Sequence, residues 1–420
     1  MDVPDAIQLM GDKQWQEIKS RLTGKFNKMM KGLFRQKGAQ LDINILASDE
    51  AQDFITTHAG ILDGGFQKVE MSDKMRERLT RSNYIFSGIK TFHELNEAFP
   101  SMLDENGNKK PFERFLNDVR KINDTYNANY LHAEYNFVQA SATMAAKWEQ
   151  FSEDGDRYYL QYRTAKDDKV RPEHAALDGV TLPMSDSFWE TYYPPNGWNC
   201  RCTVVQVRKQ KYPATEHAEA MSRGEEAMNG ERYNIFRFNS GKQGKTMPDY
   251  NPYTIKRCND CDVAKGGNTK LGFVPDYQLC QGCIMIRKCN EDRNRDNSAK
   301  ATKKSPEVKK LQGTTISNPD FNHEVLVTGG SIREWTNQPH KEYAAKNSIL
   351  KHIAKVFREA KYIGFIDNFK MKPGVKQSHL FETNVLGELS WIIVREYEIG
   401  EFVLHSISDS DKIKTGIRKE

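Results

Sequence analysis

The chain has no long apolar run. "SWIIVRE" is near the longest available, far short of the ~20 consecutive apolar residues that a membrane span requires. A secretory leader is missing from the start as well: "MDVPDAIQLMGDKQW" carries acidic residues where such a leader has a basic region and then an apolar block. Together these absences lead to the expectation of a cytoplasmic protein with no membrane partner. Cysteine is scarce and odd in number, seven in 420 residues. In a reducing compartment that reads as metal ligands or free thiols before disulfides. Net charge is also slight, +5, so any nucleic-acid partner must be argued from local patches.

What is present is ordinary globular material, 38% hydrophobic and 28% charged. At roughly 100–200 residues per domain the length predicts about three domains. The first part reads as helical. "DKQWQEIKSRLTGKFNKMMKGLF" repeats Trp15, Ile18, Leu22, Phe26, Met29 and Leu33 at helical intervals, with lysines on the solvated side. "PFERFLNDVRKINDTYNANYLHAEYNFVQASATMAAKWEQF" predicts one further long helix or two, ending near Trp148. After residue 156, "YYLQYRT" and "CTVVQVR" read as short strands on either side of a loop rich in Pro, Gly and Asp. That loop exceeds the ~15 residues at which a structureless connection becomes uncommon, so it is expected to carry function or its own internal fixings.

The cysteine spacings are specific. Cys258-x2-Cys261 and Cys280-x2-Cys283, eighteen residues apart, match a two-knuckle structural zinc site closed by four thiolates, with free buried thiols or an iron–sulfur cluster as the alternatives and Cys289 a spare thiol or substitute ligand. Cys200 and Cys202 are one residue apart, too close for an unstrained mutual disulfide. On a strand they would also point to opposite faces. His174 in "RPEHAALDG" is a candidate to join them around a second metal, with Asp178 as a further ligand; the alternative is a loop staple in which these residues only fill space and hydrogen-bond.

Residues 287–310 hold nine Lys/Arg against four acidic residues, a local excess of +5, and read as a basic linker over 291–312. Residues 313–420 recover periodicity. "SIRE" at 331–334 has a capping-box pattern, Ser331 with Glu334. "PHKEYAAKNSILKHIAKVFREA" predicts a helix starting at Pro339 that buries Ile349, Leu350, Ile353, Phe357 and Ala360. Four strand candidates follow, "YIGFIDNF", "SHLFETNV", "ELSWIIVREYE" and "EFVLHSIS", the last two joined as a hairpin across "EIG". The expected class is α+β: a mostly helical first half, a small zinc-ribbon-like module, and C-terminal helices followed by a four-stranded antiparallel sheet.

"YRTAKDDKVRPEHAALDGV" followed by "FWETYYPPNGWNCRCTVVQV" resembles the signature of the phage Mu F-like minor head proteins, also called the phage head morphogenesis family. The matching residues are Arg171, His174, Gly179, Pro194, Pro195, Gly197, Asn199, Cys200, Arg201 and Cys202, and the resemblance covers roughly residues 80–206. It implies a low-copy protein of the virion head, made in the bacterial cytoplasm, with the portal and other head proteins as partners. The domains expected on that basis are 1–75, a helical portal-binding arm; 76–208, the Mu F-like part; 209–290, a zinc-binding module; 291–312, the linker; and 313–420.

The last of these, with "HEVLVTGGSIREWTNQPHKEYAAKNSILKHI", "SHLFETNV" and "VLHSISD", resembles the phage-associated barnase, EndoU, colicin and RelE-like nucleases. That resemblance implies metal-independent RNA cleavage, with phage DNA or host RNA as a partner and an immunity protein as another. Such chemistry needs a base for the 2′-hydroxyl, an acid for the leaving oxygen and cations for the phosphorane. The candidates are His340, His379 and His405 for proton transfer, His340 and His379 first; Lys346 or Arg395 for charge; and Ser406 for orientation. Two further readings stay open. One is a host RNA-processing or toxin nuclease that grips RNA with the zinc module. The other is a purely structural head protein whose C-terminal domain only binds.

Overall fold

The computed structural model describes residues 12–38, 40–248, 251–253, 281–367, 372–385 and 387–418, which fall into two compact units divided between Asn290 and Glu291. The class is α+β, helical first and sheet-rich after. Among the described residues, no helix is long and apolar enough to cross a membrane.

In the first unit, α1 (Asp12–Phe34) buries Trp15, Leu22, Phe26, Met29 and Leu33, the stripe expected from their spacing. Then come α2 (Asp49–Asp63) and α3 (Asp73–Ala98). Each is opened by a serine, Ser48 and Ser72, whose hydroxyl accepts a backbone N–H of the first turn. The predicted second long helix is two, α4 (Phe112–Asn123) and α5 (Leu131–Asp154), joined by a π-helical stretch at Asp124–Asn129. One apolar core runs from Trp15 to Ile286, so the boundaries expected at 75/76 and 208/209 fall inside it.

The middle of this unit holds charge. Lys90 of α3 is fully buried and donates to Glu134 Oε2 (2.7 Å), the Tyr126 carbonyl (2.7 Å) and His58 Nε2 (3.0 Å), so its three N–H bonds meet three acceptors. Ser87 gives its proton to the Asn83 carbonyl and so accepts from His58 Nδ1 at 2.7 Å. His58 is therefore the neutral tautomer whose free nitrogen faces Lys90, and burial followed by the Lys90 charge lowers it to about 4.

Strands β1 (Tyr159–Arg163), β2 (Thr181–Pro183) and β3 (Thr203–Val207) form a sheet in the order β2-β1-β3, antiparallel throughout. The two strands expected here are β1 and β3; the third comes from inside the long loop, which also folds into α6 (Pro172–Ala175) and α7 (Phe188–Thr191). After β3, α8 (His217–Ala227) packs close at Gly224, where an added Cβ would lie 2.5 Å from the Tyr192 ring.

The segment read as a basic linker is helical, over Gln281–Lys304 and Pro306–Leu311. In the second unit Val308 is fully buried in the apolar core, which explains why this polar stretch is ordered. The sheet has six strands rather than four, in the order β4-β5-β9-β8-β7-β6: β4 (Thr315–Asn318), β5 (Phe321–Leu326), β6 (Lys361–Asp367), β7 (Val375–Val385), β8 (Glu388–Tyr397) and β9 (Phe402–Ser408). Its last four strands are antiparallel neighbours as expected, while β5 joins β9 in parallel.

Two boundaries differ from the sequence reading. The capping box belongs to Thr328, with Ser331 as its third-position partner, so the helix starts at Gly329. The helix expected from Pro339 begins at Tyr343, because the Glu342 N–H donates to His340 Nδ1 (2.9 Å) and ties that stretch into a turn. The expected core residues Ile349, Leu350, Ile353, Phe357 and Ala360 are all buried.

Candidate metal centre

The loop between β1 and β3 is built around its polar side chains. Asp178 accepts from the Thr164 N–H (2.8 Å) and hydroxyl (3.1 Å), which closes residues 164–178 on themselves. Gly179 then turns at φ +82°, a conformation L side chains rarely adopt. Arg171 precedes α6, whose first residue is Pro172 and whose buried residue is His174. The chain returns through a cis Pro194-Pro195 bond to Asn196, fully buried and accepting from the Tyr162 hydroxyl at 2.8 Å.

Arg171 ties the two arms together by donating to the Trp198 carbonyl at 2.5 Å. Residue 197 has to be glycine for that, since a Cβ there would sit 2.7 Å from Arg171 Nη1. Asn199 follows at φ +58°, held by Asn136 of α5 at 3.0 Å, and the Cys200 N–H donates back to the Gly197 carbonyl at 3.1 Å.

This turn decides where the thiols go. Strand alternation would have parted Cys200 and Cys202, yet both precede β3, and both sulfurs face His174 Nδ1, at 3.6 and 3.7 Å. The three ligand atoms lie within 4.8 Å of one another, and all three residues are buried. Neither cysteine forms a disulfide. Hydrogen bonding between the two thiols holds Cys200 well below its ordinary value and pushes Cys202 up, so the pair keeps one proton where two separate thiols would keep two.

The other ring nitrogen, His174 Nε2, is buried with no hydrogen-bond partner among the described residues. Asp178 does not join the group, because its carboxylate is taken by Thr164, with Lys166 at 3.7 Å. Arg201, between the cysteines, pairs with Asp167 through both guanidinium nitrogens at 2.5 and 2.7 Å. Beside the three ligand residues lies a cavity of about 380 Å³, walled also by His132, Asn136, Lys169, Arg171, Asn199 and Arg201.

Of the four-cysteine zinc site, Cys258, Cys261 and Cys280 lie outside the described residues. Cys283 is buried on the helix Gln281–Lys304, and Cys289 is half-buried further along it. That helix is packed hard on α3, since a Cβ on Gly282 would lie 2.7 Å from Phe92 and one on Gly88 2.5 Å from Ile286.

The six residues expected to carry cleavage do not converge on one point. His340 is largely buried, donating from Nε2 to Ser390 at 3.0 Å while Nδ1 accepts from Glu342. Lys346 is fully buried and donates to the Trp335 and Gln338 carbonyls at 2.5 and 2.8 Å, with burial lowering it to about 7. His379 is buried between the Tyr362 hydroxyl and Glu396, both at 2.9 Å. His340 and His379, the first choices for proton transfer, are thus satisfied inside the fold.

Arg395 lies opposite Ser378 and Val403, while His379 lies opposite Val394, which places His379 and Arg395 on opposite faces of the sheet. His405 stands at the bulge of β9 against Ile393 and Val394, and Ser406, opposite Ile393, is buried. Burial, then the charges of Arg395 and Lys372, lower His405 to about 4. The Arg395 charge thus acts on His405, as the Lys346 charge does on His340.

Residues 106–205 match the family described as Phage Mu protein F like protein, so the chain carries a Mu F-like segment. Among individual relatives it is 38% identical over 177 residues to the "Putative capsid assembly protein F" of Escherichia phage Mu, a match covering 41% of this chain and 38% of that protein. It is 34% identical over 102 residues to the "Mu-like prophage FluMu F protein" of Haemophilus influenzae, covering 24% and 22%. The similarity thus spans less than two fifths of either relative's length. Residues 294–404 match a second family, described as Large polyvalent protein-associated domain 3, in place of a nuclease family. No solved structure matches the chain.

Proposed function

We propose that the chain is a minor head protein acting in phage head assembly, present in the virion and in the host cytoplasm while heads are built, with the portal and other head proteins as its partners. The observation that carries this reading is the 38% identity over 177 residues to a putative capsid assembly protein. The pinned loop supports it as well, because its internal hydrogen bonds hold a rigid surface suited to attachment. Deleting the gene from its phage is expected to abolish normal heads in electron micrographs, and the full chain is expected to co-purify with the portal protein of the same phage. Normal heads and particle yield from the deletion would overturn the reading. A four-thiolate zinc site at Cys258, Cys261, Cys280 and Cys283 remains part of the proposal, on spacing alone.

For the second unit we propose an RNA-cleaving effector, supported by Arg395 and His405 lying on the paired strands β8 and β9, with the Arg395 charge among the causes that lower His405. His405, neutral at pH 7, would accept the 2′-hydroxyl proton while the Arg395 guanidinium takes up the charge of the phosphorane; a second group must protonate the leaving 5′ oxygen. Incubated with RNA and EDTA, the full chain is expected to cleave, and H405A and R395A to lose cleavage. A base lowered to about 4 stays unprotonated through neutral pH, so the rate should hold down to about pH 4 and fall below it. Absence of cleavage by the unaltered chain would leave a domain that only binds.

A further inference from the structure

We propose that His174 Nδ1, Cys200 Sγ and Cys202 Sγ hold one zinc ion, with its fourth coordination position open to the adjoining cavity and filled by an exchangeable water or small anion. This goes beyond the head-assembly reading, which requires no metal.

The first argument is dimensional. Zinc binds imidazole nitrogen at about 2.0–2.1 Å and thiolate sulfur at about 2.3 Å in tetrahedral geometry, so a nitrogen and a sulfur on the same ion should stand about 3.6 Å apart. The two nitrogen–sulfur separations here are 3.6 and 3.7 Å. A hydrogen bond to sulfur spans a similar distance, but one ring nitrogen offers a single lone pair or a single proton and cannot serve two thiols equally, whereas one ion can hold all three atoms.

Charge gives the second argument. Two buried thiolates are costly alone, but with one divalent zinc and a neutral imidazole the set sums to zero, and soft sulfur with imidazole is the donor combination zinc favours. Preorganisation gives the third. The Arg171 bond to the Trp198 carbonyl, the glycine that makes room for it, and the left-handed Asn199 all act to bring both sulfurs to one side of the chain. A loop that needed only to close would not need both thiols turned the same way.

The fourth position follows from what is nearby. Asp178 is held by Thr164, and no other histidine, cysteine or carboxylate among the described residues completes the group. The cavity beside the ligands carries Lys169, Arg171 and Arg201 on its wall, so an anionic or oxygen-donor ligand suits it, as in zinc sites that keep one position for solvent or substrate.

The test is metal content of the purified full chain, read by elemental analysis and so independent of whether heads assemble. In a C258S/C261S background, which removes the other candidate site, one zinc equivalent is expected, falling to none when H174A is added. H174C, which offers a third thiolate, should restore it. Where C258S/C261S does not fold, unaltered chain and H174A are compared directly and should differ by one equivalent, with circular dichroism confirming that both are folded. Equal zinc in the chain with and without His174 would overturn the site. Cobalt substituted for zinc should give thiolate charge-transfer absorption and a visible spectrum that shifts on adding azide; a spectrum indifferent to azide would overturn the open position.

Discussion

Replacing Lys90 by methionine is expected to destabilise the first unit by about 3–5 kcal/mol, the cost typical of removing one partner from a buried ion pair. Methionine keeps the length and packing of the side chain but supplies none of its three donated bonds, to Glu134, the Tyr126 carbonyl and His58. The carboxylate of Glu134 would remain buried with the Tyr253 hydroxyl as its donor and His58 Nε2 at 3.2 Å, but without the lysine charge. Against a total stability of roughly 5–15 kcal/mol for an ordinary domain, such a loss should appear as a large drop in the urea midpoint followed by circular dichroism. The control is K90M/E134Q: with both charges gone it should recover much of the loss, since the penalty lies in the orphaned carboxylate rather than in the missing lysine. A K90M midpoint within error of the unaltered chain would show that the charge network does not stabilise the fold.

Nothing in the sequence marked that network. Lys90 and Glu94 are four residues apart, a spacing common on solvated helix surfaces, yet both are fully buried because the second half of α3, from Ser82, is packed nearly all round. Where a helix has one wet face, the periodicity was sufficient: the stripe from Trp15 to Leu33 on α1 lies where its spacing puts it. The same holds for β6 to β9, whose apolar content made them visible. β4 and β5 escaped notice because Asn322, His323 and Glu324 are exposed in succession, so no alternation announces a strand, and the pairing of β5 with β9 is a contact between distant parts of the chain. The helix over 281–304 was missed for a related reason, since its polar composition resembles a linker and only a few side chains, Ala299 and Thr302 among them, are buried.

At the candidate metal centre the fold brings together His174, Cys200 and Cys202, which the sequence named, in a geometry that strand alternation did not predict. Period-two logic sent Cys200 and Cys202 to opposite faces, but residues 200–202 lie in a turn-led segment ahead of β3, where strand alternation does not apply. An asparagine ahead of a cysteine pair was the available signal, because asparagine tolerates the left-handed conformation better than most residues. For Asp178 the residue type suited a metal, but its hydrogen bonds with Thr164, fourteen positions earlier, could be seen only once the loop was folded.

Glu94 carries the last prediction, a contribution to stability that declines as pH rises through neutrality. Its side chain is fully buried, and neither carboxylate oxygen has a hydrogen-bond partner among the described residues, so burial raises it from 4.5 to about 8 against the pull of Lys90. Between those values the folded chain holds a proton that the unfolded chain has released, and stability therefore falls with increasing pH over that window. His58 acts in the opposite sense: lowered to about 4, it is neutral when folded and charged when unfolded, so its contribution grows from about pH 4 to 6.5 and then stops. Glu134, held near 2, loses its contribution only as pH falls below 4.5. From pH 4.5 to 6.5 the slopes of Glu94 and His58 offset one another; above that Lys346 and Cys200, both lowered in the fold, act against Glu94, so its share is read as the difference from a variant that cannot ionise. One proton over about 1.5 pH units, at roughly 1.4 kcal/mol per unit, amounts to about 2 kcal/mol of lost stability. In E94Q, which mimics the protonated side chain and cannot ionise, that decline should vanish and the variant should be the more stable protein at pH 8. Urea midpoints of the two proteins across pH 6–9 that run parallel would mean that Glu94 ionises in the fold as it does in water.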